Sequence, residues 1–72
     1  MNDIAKLLGK RIKVLRVEKD LVQNELAQLT DRDPSYIGRI ERGEINITME
    51  TFARIAAALD IKPSEILKKI DL

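Results

Sequence analysis

No cysteine and no histidine occur in the 72 residues. Without cysteine there is no disulfide framework and no thiolate-ligated zinc to staple a small core. Without histidine the commonest metal ligand and the commonest general base are both missing. Glycine and proline are scarce as well, at three and two residues (Gly9, Gly38, Gly43, Pro34 and Pro63), which leaves no linker and no low-complexity tract. No stretch approaches the roughly 20 consecutive apolar residues of a membrane span, and the N-terminus lacks the apolar region of a signal peptide. A cytoplasmic location without membrane contact is therefore expected. Net charge is only +1, so charge alone does not announce nucleic acid. Its distribution leans slightly: residues 1–42 carry nine Lys/Arg against seven Asp/Glu, and residues 43–72 carry four against five.

What is present reads as helix. A hydrophobic content of 44% suits a folded domain, and the length gives room for one domain, expected to span 1–72. Folding at this size buries only about 60% of the surface the unfolded chain exposes, so the core is small. Ile4, Leu8, Ile12 and Leu15 recur at helical spacing and draw one apolar stripe over a first helix, Asn2 to Lys19, with Asn2 or Asp3 as its cap. A second helix spans Gln23 to Thr30, with Leu26, Ala27 and Leu29 as its buried side. Val22 is a poor N-cap for it, and Glu25 suits the positive end of its dipole. Asp31 fits a left-handed turn. Asp33 followed by Pro34 reads as N-cap then first helical residue, opening a third helix to Arg42 that Gly43 stops. Ile37 and Ile40 face inward from it. Thr48 caps a fourth helix carrying Phe52, Ile55, Ala56 and Leu59, closed by Asp60. Pro63 opens a fifth running towards Ile70, with Ile66, Leu67 and Ile70 apolar. The expected fold is all-α, a compact five-helix bundle.

The second and third helices are separated by about three residues. A turn that short makes two helices cross steeply, the geometry of a helix-turn-helix, although a plain helical hairpin has the same spacing. Arg16 lies four residues after Ile12 and Glu41 four after Ile37, so each sits beside an apolar stripe. A buried charge needs an opposite partner, which makes Arg16 and Glu41 a candidate ion pair. Two independent solvated charges are the alternative.

The runs Gln23-Asn24-Glu25-Leu26-Ala27, Ser35-Tyr36-Ile37 and Ile40-Glu41-Arg42-Gly43 resemble the phage repressor and Cro-type helix-turn-helix family, with its lambda repressor-like fold. The likeness extends from about Leu8 to Leu67, including Arg16 and the segment Ala-Leu-Asp-Ile-Lys-Pro-Ser-Glu-Ile-Leu. Within that family the stretches around Asp31-Arg32, Ser35-Tyr36-Ile37 and Ile40-Glu41-Arg42-Gly43-Glu44 are similar to controller proteins of bacterial restriction–modification systems. The resemblance implies a structural ion pair between Arg16 and Glu41. It also implies a recognition helix whose N-terminal side chains meet base edges in the major groove. Gln23 would hydrogen-bond a DNA phosphate, as helix N-termini favour. Pro34, Ser35, Tyr36 and Arg39 would face outward. Ser35 suits a base or a phosphate, and Tyr36 a phosphate, a thymine methyl or the covering of the core. Arg39 is the best candidate for bidentate contact with guanine, with a phosphate clamp as its alternative. Asn46 would bond a phosphate, and Arg32 and Arg42 would add positive charge.

This chain departs from that pattern at three places. Pro34 cannot hydrogen-bond a base edge. Gly38 sits inside the recognition helix, where glycine costs about 1 kcal/mol relative to alanine, so it marks a close approach either to DNA or to the second helix. Asp31 replaces a turn glycine and, with Asp33, brings negative charge near the presumed DNA face. Readout through DNA shape gains weight accordingly.

Ile45, Ile47, Ile61, Ile70 and Leu72 exceed what a small core needs. They are expected to form a self-complementary dimer surface near the fourth and fifth helices, or else to close the bottom of the core. The expected function is a homodimeric, sequence-specific transcriptional regulator on a palindromic double-stranded operator, with autoregulation of a restriction–modification system as the narrower form. It needs no cofactor and no metal. RNA polymerase becomes a partner only if the protein activates. A second class stays open, an antitoxin-like or other protein-interaction module on the same fold. An enzyme is not expected, since there is no histidine, no cysteine and no glycine-rich phosphate loop.

Overall fold

A computed structural model describes residues 2–70. It contains α1 (Asn2–Glu18), α2 (Gln23–Thr30), α3 (Pro34–Glu41), α4 (Met49–Ala58) and α5 (Pro63–Leu67), with no strand among the described residues. None of these helices is long and apolar enough to cross a membrane. The expected cap at Asn2 or Asp3 lies outside the described side chains.

The helix starts follow from local chemistry. The Asp33 carboxylate accepts from the Ser35 N–H and Pro34 occupies the first turn of α3. The Thr48 hydroxyl accepts from the Thr51 N–H at α4. At α2 the valine in the cap position has no acceptor to offer, and Glu25 alone reaches back to the Val22 N–H at 2.8 Å. That is half of a capping box.

The helix ends share one device. After α1, α2 and α4 the chain turns through Asp20, Asp31 and Asp60 in the left-handed region, and after α3 through Gly43. In each case the next two amides return to the last turn: Asp20 and Leu21 to Val17 and Arg16, Asp31 and Arg32 to Gln28 and Ala27, Gly43 and Glu44 to Ile40 and Arg39, Asp60 and Ile61 to Ala57 and Ala56. This is the Schellman arrangement, which satisfies carbonyls that a helix end otherwise leaves open. Long side chains complete other ends. Arg11 donates to the Glu65 and Ile66 carbonyls of α5, and Arg54 reaches the Thr30 carbonyl of α2.

Packing of α1 against α3 and α5, α2 against α3 and α4, and α4 against α5 encloses one core. Ile12, Leu26, Ile37, Ile55, Leu59 and Ile66 are fully buried in it, with Phe52 and Ile40 close behind. The expected stripe of α1 holds at Ile12 and Leu15, which are buried, and in part at Leu8. Ala5 and Gly9 are buried as well, along with Arg16, while Ile4 is 56% exposed. Two small residues let α1 lie close to α3, and a Cβ at Gly9 would stand 2.1 Å from the Ile40 carbonyl oxygen.

On α2, Leu29 is exposed, contrary to expectation. Thr30 takes the buried position because its hydroxyl donates to the Leu26 carbonyl one turn back, with the Ala27 carbonyl also in range. Leu67 is likewise exposed rather than buried. α3 ends at Glu41, with Arg42 as its cap, and α5 stops at Leu67, short of Ile70.

Candidate nucleic-acid interface

Behind the recognition surface sits a sealed polar network. The Arg16 guanidinium donates through Nε to Glu41 Oε2 at 2.7 Å and through Nη2 to Oε1 at 3.1 Å. Its Nη1 donates to the Leu21 carbonyl at 2.6 Å. Both side chains are buried, at 10% and 2% exposed. The fork geometry matches a carboxylate bidentately. The pair joins the end of α1 and the 19–22 turn to the end of α3, and the Gln23 amide nitrogen adds α2 by donating to Glu41 Oε1 at 3.0 Å. A Cβ at Gly38 would lie 3.1 Å from Arg42 Nη1, and only at ordinary contact distance, 3.6 Å, from Gln23 Oε1. The expected close approach of α2 at Gly38 is therefore not seen; the tight neighbour is the Arg42 side chain.

The outer face of α3 then carries Pro34, Ser35, Arg39 and Arg42, all exposed, with Asn46 exposed in the following loop. Ser35 lies beside its cap, its hydroxyl 2.9 Å from an Asp33 oxygen. Hydrogen bonds from the Ser35 N–H and hydroxyl hold the Asp33 carboxyl below the ordinary carboxylate range. Gln23 is half-buried at the edge of this face. Its amide has one N–H engaged by Glu41, and a second remains to donate.

Two residues expected on the face point elsewhere. Tyr36 is half-buried and packs on the core. Arg32 lies over the Tyr36 ring, 5.6 Å from its centroid, and donates to Thr51 Oγ1 at 3.0 Å. It thereby ties the α2–α3 turn to the first turn of α4. Its Nε is buried without a hydrogen-bond partner among the described residues.

Sequence reasoning missed Glu44. Its carboxylate takes Arg42 Nε at 2.6 Å and lies 3.9 Å from Arg39 Nε. Hydrogen bonding and attraction from Glu44 raise the Arg42 pKa. The same contact with Arg42 lowers that of Glu44. An acid placed just after the C′ glycine of a helix bearing two arginines was the available signal. Gly9, Thr30 and Thr51 were also missed; a glycine inside a helix is itself a flag for close packing.

The residues expected at a dimer surface do not form one patch. Ile45 and Ile47 line a cleft with Ile4, Ala5, Leu8 and Gly9 of α1. Ile61 lies in a groove beside Ala53 and Ala57 of α4. Ile70 lies against Leu7 and Val14 of α1. Ile45, Ile47 and Ile61 are half-buried and pack on the core, so they help to close it. Leu72 lies outside the described residues.

Residues 12–66 match the helix-turn-helix family. The chain belongs to that family. Control protein C.MunI of Mycoplasma sp is 39% identical over 72 residues, covering 99% of this chain and 97% of that protein. Control protein C.BamHI of Bacillus amyloliquefaciens is 33% identical over 67 residues, covering 92% and 83%. Among solved structures, the restriction–modification controller protein C.AhdI from Aeromonas hydrophila superposes with a TM-score of 0.86 at 39% identity, covering 89% of this chain and 97% of that one. The all-α, five-helix fold and the family likeness read from the sequence agree with these relatives.

Proposed function

We propose that this helix-turn-helix protein is a sequence-specific DNA-binding transcription regulator, controlling a restriction–modification system as C.AhdI is described to do. The observation that carries the reading is the division of α3. Its inner side is fixed by the core and by the Arg16–Glu41–Gln23 network, while Pro34, Ser35, Arg39 and Arg42 face out. Arg39 is the candidate base reader, through a guanine in the major groove. Gln23, Arg42 and Asn46 are candidates for phosphate contacts that set register. Arg32 and Tyr36 support the face from the side and contact DNA only at its margin. Pro34 contributes shape and no hydrogen bond.

The regulator acts as a homodimer on a palindrome. Half-sites lie about 34 to 36 Å apart, and the longest extent of the described chain is 28 Å, so one copy does not span both. Exposed Leu67, whose carbonyl accepts from the Ile70 N–H, supports a surface around α5.

A titration of the full chain against DNA from immediately upstream of its gene, over a salt series, tests the reading. Binding should be specific and fall steeply with salt. Absence of any DNA complex at low salt, with salt-independent binding of a partner protein instead, would replace it with the protein-interaction reading.

A further inference from the structure

Arg39 and Arg42 are the exposed cations of the recognition helix, and one carboxylate serves both. Glu44 follows Gly43, whose φ of 73° reverses the chain. The Glu44 amide is bonded back to the Arg39 carbonyl at 2.9 Å. Gly43 itself is pinned, since a Cβ there would stand 2.6 Å from the Lys6 Cα. The position of Glu44 is thus set by backbone on both sides. Its carboxylate receives Arg42 through Nε at 2.6 Å and Nη2 at 3.4 Å, the forked grip that guanidinium also gives a phosphate. All three side chains are about half exposed, so an incoming phosphate can reach the arginines.

We infer that Glu44 is an internal stand-in for a DNA phosphate, occupying the fork of Arg42 and, at longer range, attracting Arg39, until a DNA phosphate displaces it. This role rests on the DNA-binding reading. Contacts to phosphate carry no sequence information and supply most non-specific affinity. A resident carboxylate that must be displaced weakens binding to every sequence through Arg42. A duplex that also offers base contacts to Arg39 binds despite that loss. Glu44 therefore limits the affinity for DNA of any sequence, acting by competition for Arg42 rather than by contact with a base. One carboxylate beside two arginines thus lowers the attraction of this face for any duplex.

The test measures binding of the full chain and its variants to a random-sequence duplex between about 50 and 200 mM salt. Glu44→Gln should tighten binding roughly two- to fivefold, the range set by an exposed ion pair. It should also steepen the log–log salt slope by about one, as one more arginine neutralises phosphate. Glu65→Gln on α5 changes net charge equally and should do neither. The gain should shrink when Glu44→Gln is made together with Arg42→Gln. A salt-sensitive wild type whose Glu44→Gln variant behaves like Glu65→Gln would overturn the inference and leave the DNA-binding reading standing. So would an equal gain without Arg42. Failure of wild type and Glu44→Gln alike to bind any duplex would overturn both.

Discussion

Two arginine–glutamate pairs flank the C-terminal end of α3, and they differ in what surrounds them. Arg16 and Glu41 are sealed, with the guanidinium's third nitrogen on the Leu21 carbonyl and the carboxylate shared with Gln23. Arg42 and Glu44 make a fork of similar length in the open. Distance alone would rank them equal. Their energetics separate on solvation: removing one partner of a buried pair strands a charge away from water, whereas water and salt absorb most of what an exposed pair offers. The first pair accordingly belongs to folding and the second to whatever meets the surface.

The sharpest test of that contrast is to truncate one arginine from each. Arg16→Ala should destabilise by about 3 to 5 kcal/mol. A 72-residue chain has only about 4 to 11 kcal/mol in total, so the variant should be largely unfolded by circular dichroism or show a collapsed urea midpoint. Arg42→Ala should leave the urea midpoint in place. Equal losses from the two variants would break the comparison.

Gly9→Ala attacks the sealed side from another direction. Its methyl meets the Ile40 carbonyl, so α1 must move off α3. A loss of roughly 1 to 3 kcal/mol, the usual scale of overpacking, should appear in denaturant titration. On the open side, Arg39→Ala should keep the midpoint and weaken operator binding by about 1 to 3 kcal/mol. Equal affinity of wild type for operator and scrambled DNA would remove Arg39 from base readout.

Smaller effects lie at the helix ends. Asp20, Asp31 and Asp60 hold left-handed backbone that disfavours a side chain by about 1 to 2 kcal/mol. Asp60→Gly recovers part of that against the greater freedom of unfolded glycine, so its Tm should rise by a few degrees. The Asp33 cap gives the smallest signal, a pH dependence. Its carboxyl is lowered in the folded state, so its contribution is complete above the unfolded value near 3.8 and fades as pH falls below it. Asp33→Asn should remove that component of an acid titration.

Helix starts were legible because Asp33-Pro34, Thr48 and Pro63 carry their own stereochemistry, and so was the Arg16–Glu41 juxtaposition, because both residues adjoin apolar stripes. Less visible were positions whose burial depends on local satisfaction rather than hydrophobicity. Thr30 displaced Leu29 from the core because its hydroxyl bonds its own helix. Ala5 and Gly9 displaced Ile4 because closeness of two helices, not bulk, decides that seam. Ile45 and Ile47 read as surplus apolar residues, yet the loop carries them to the flank of α1. Glu44 was hidden because its neighbours in space are set by the Gly43 reversal, which reads in sequence only as a stop.

The glycine at position 9 has a consequence for how such a protein changes. Where Gly9 of α1 meets α3, the contact is with carbonyl oxygens of Ile40 and Glu41, atoms that every amino acid shares. Among the described residues the outward side chains of α3 take no part in it: Ser35 engages its own cap, and Arg39 reaches Glu44. Exchanging them leaves the seating of the helix untouched. New DNA targets are then accessible through single surface substitutions, and descendants can diverge in the sequence they recognise while inheriting one scaffold.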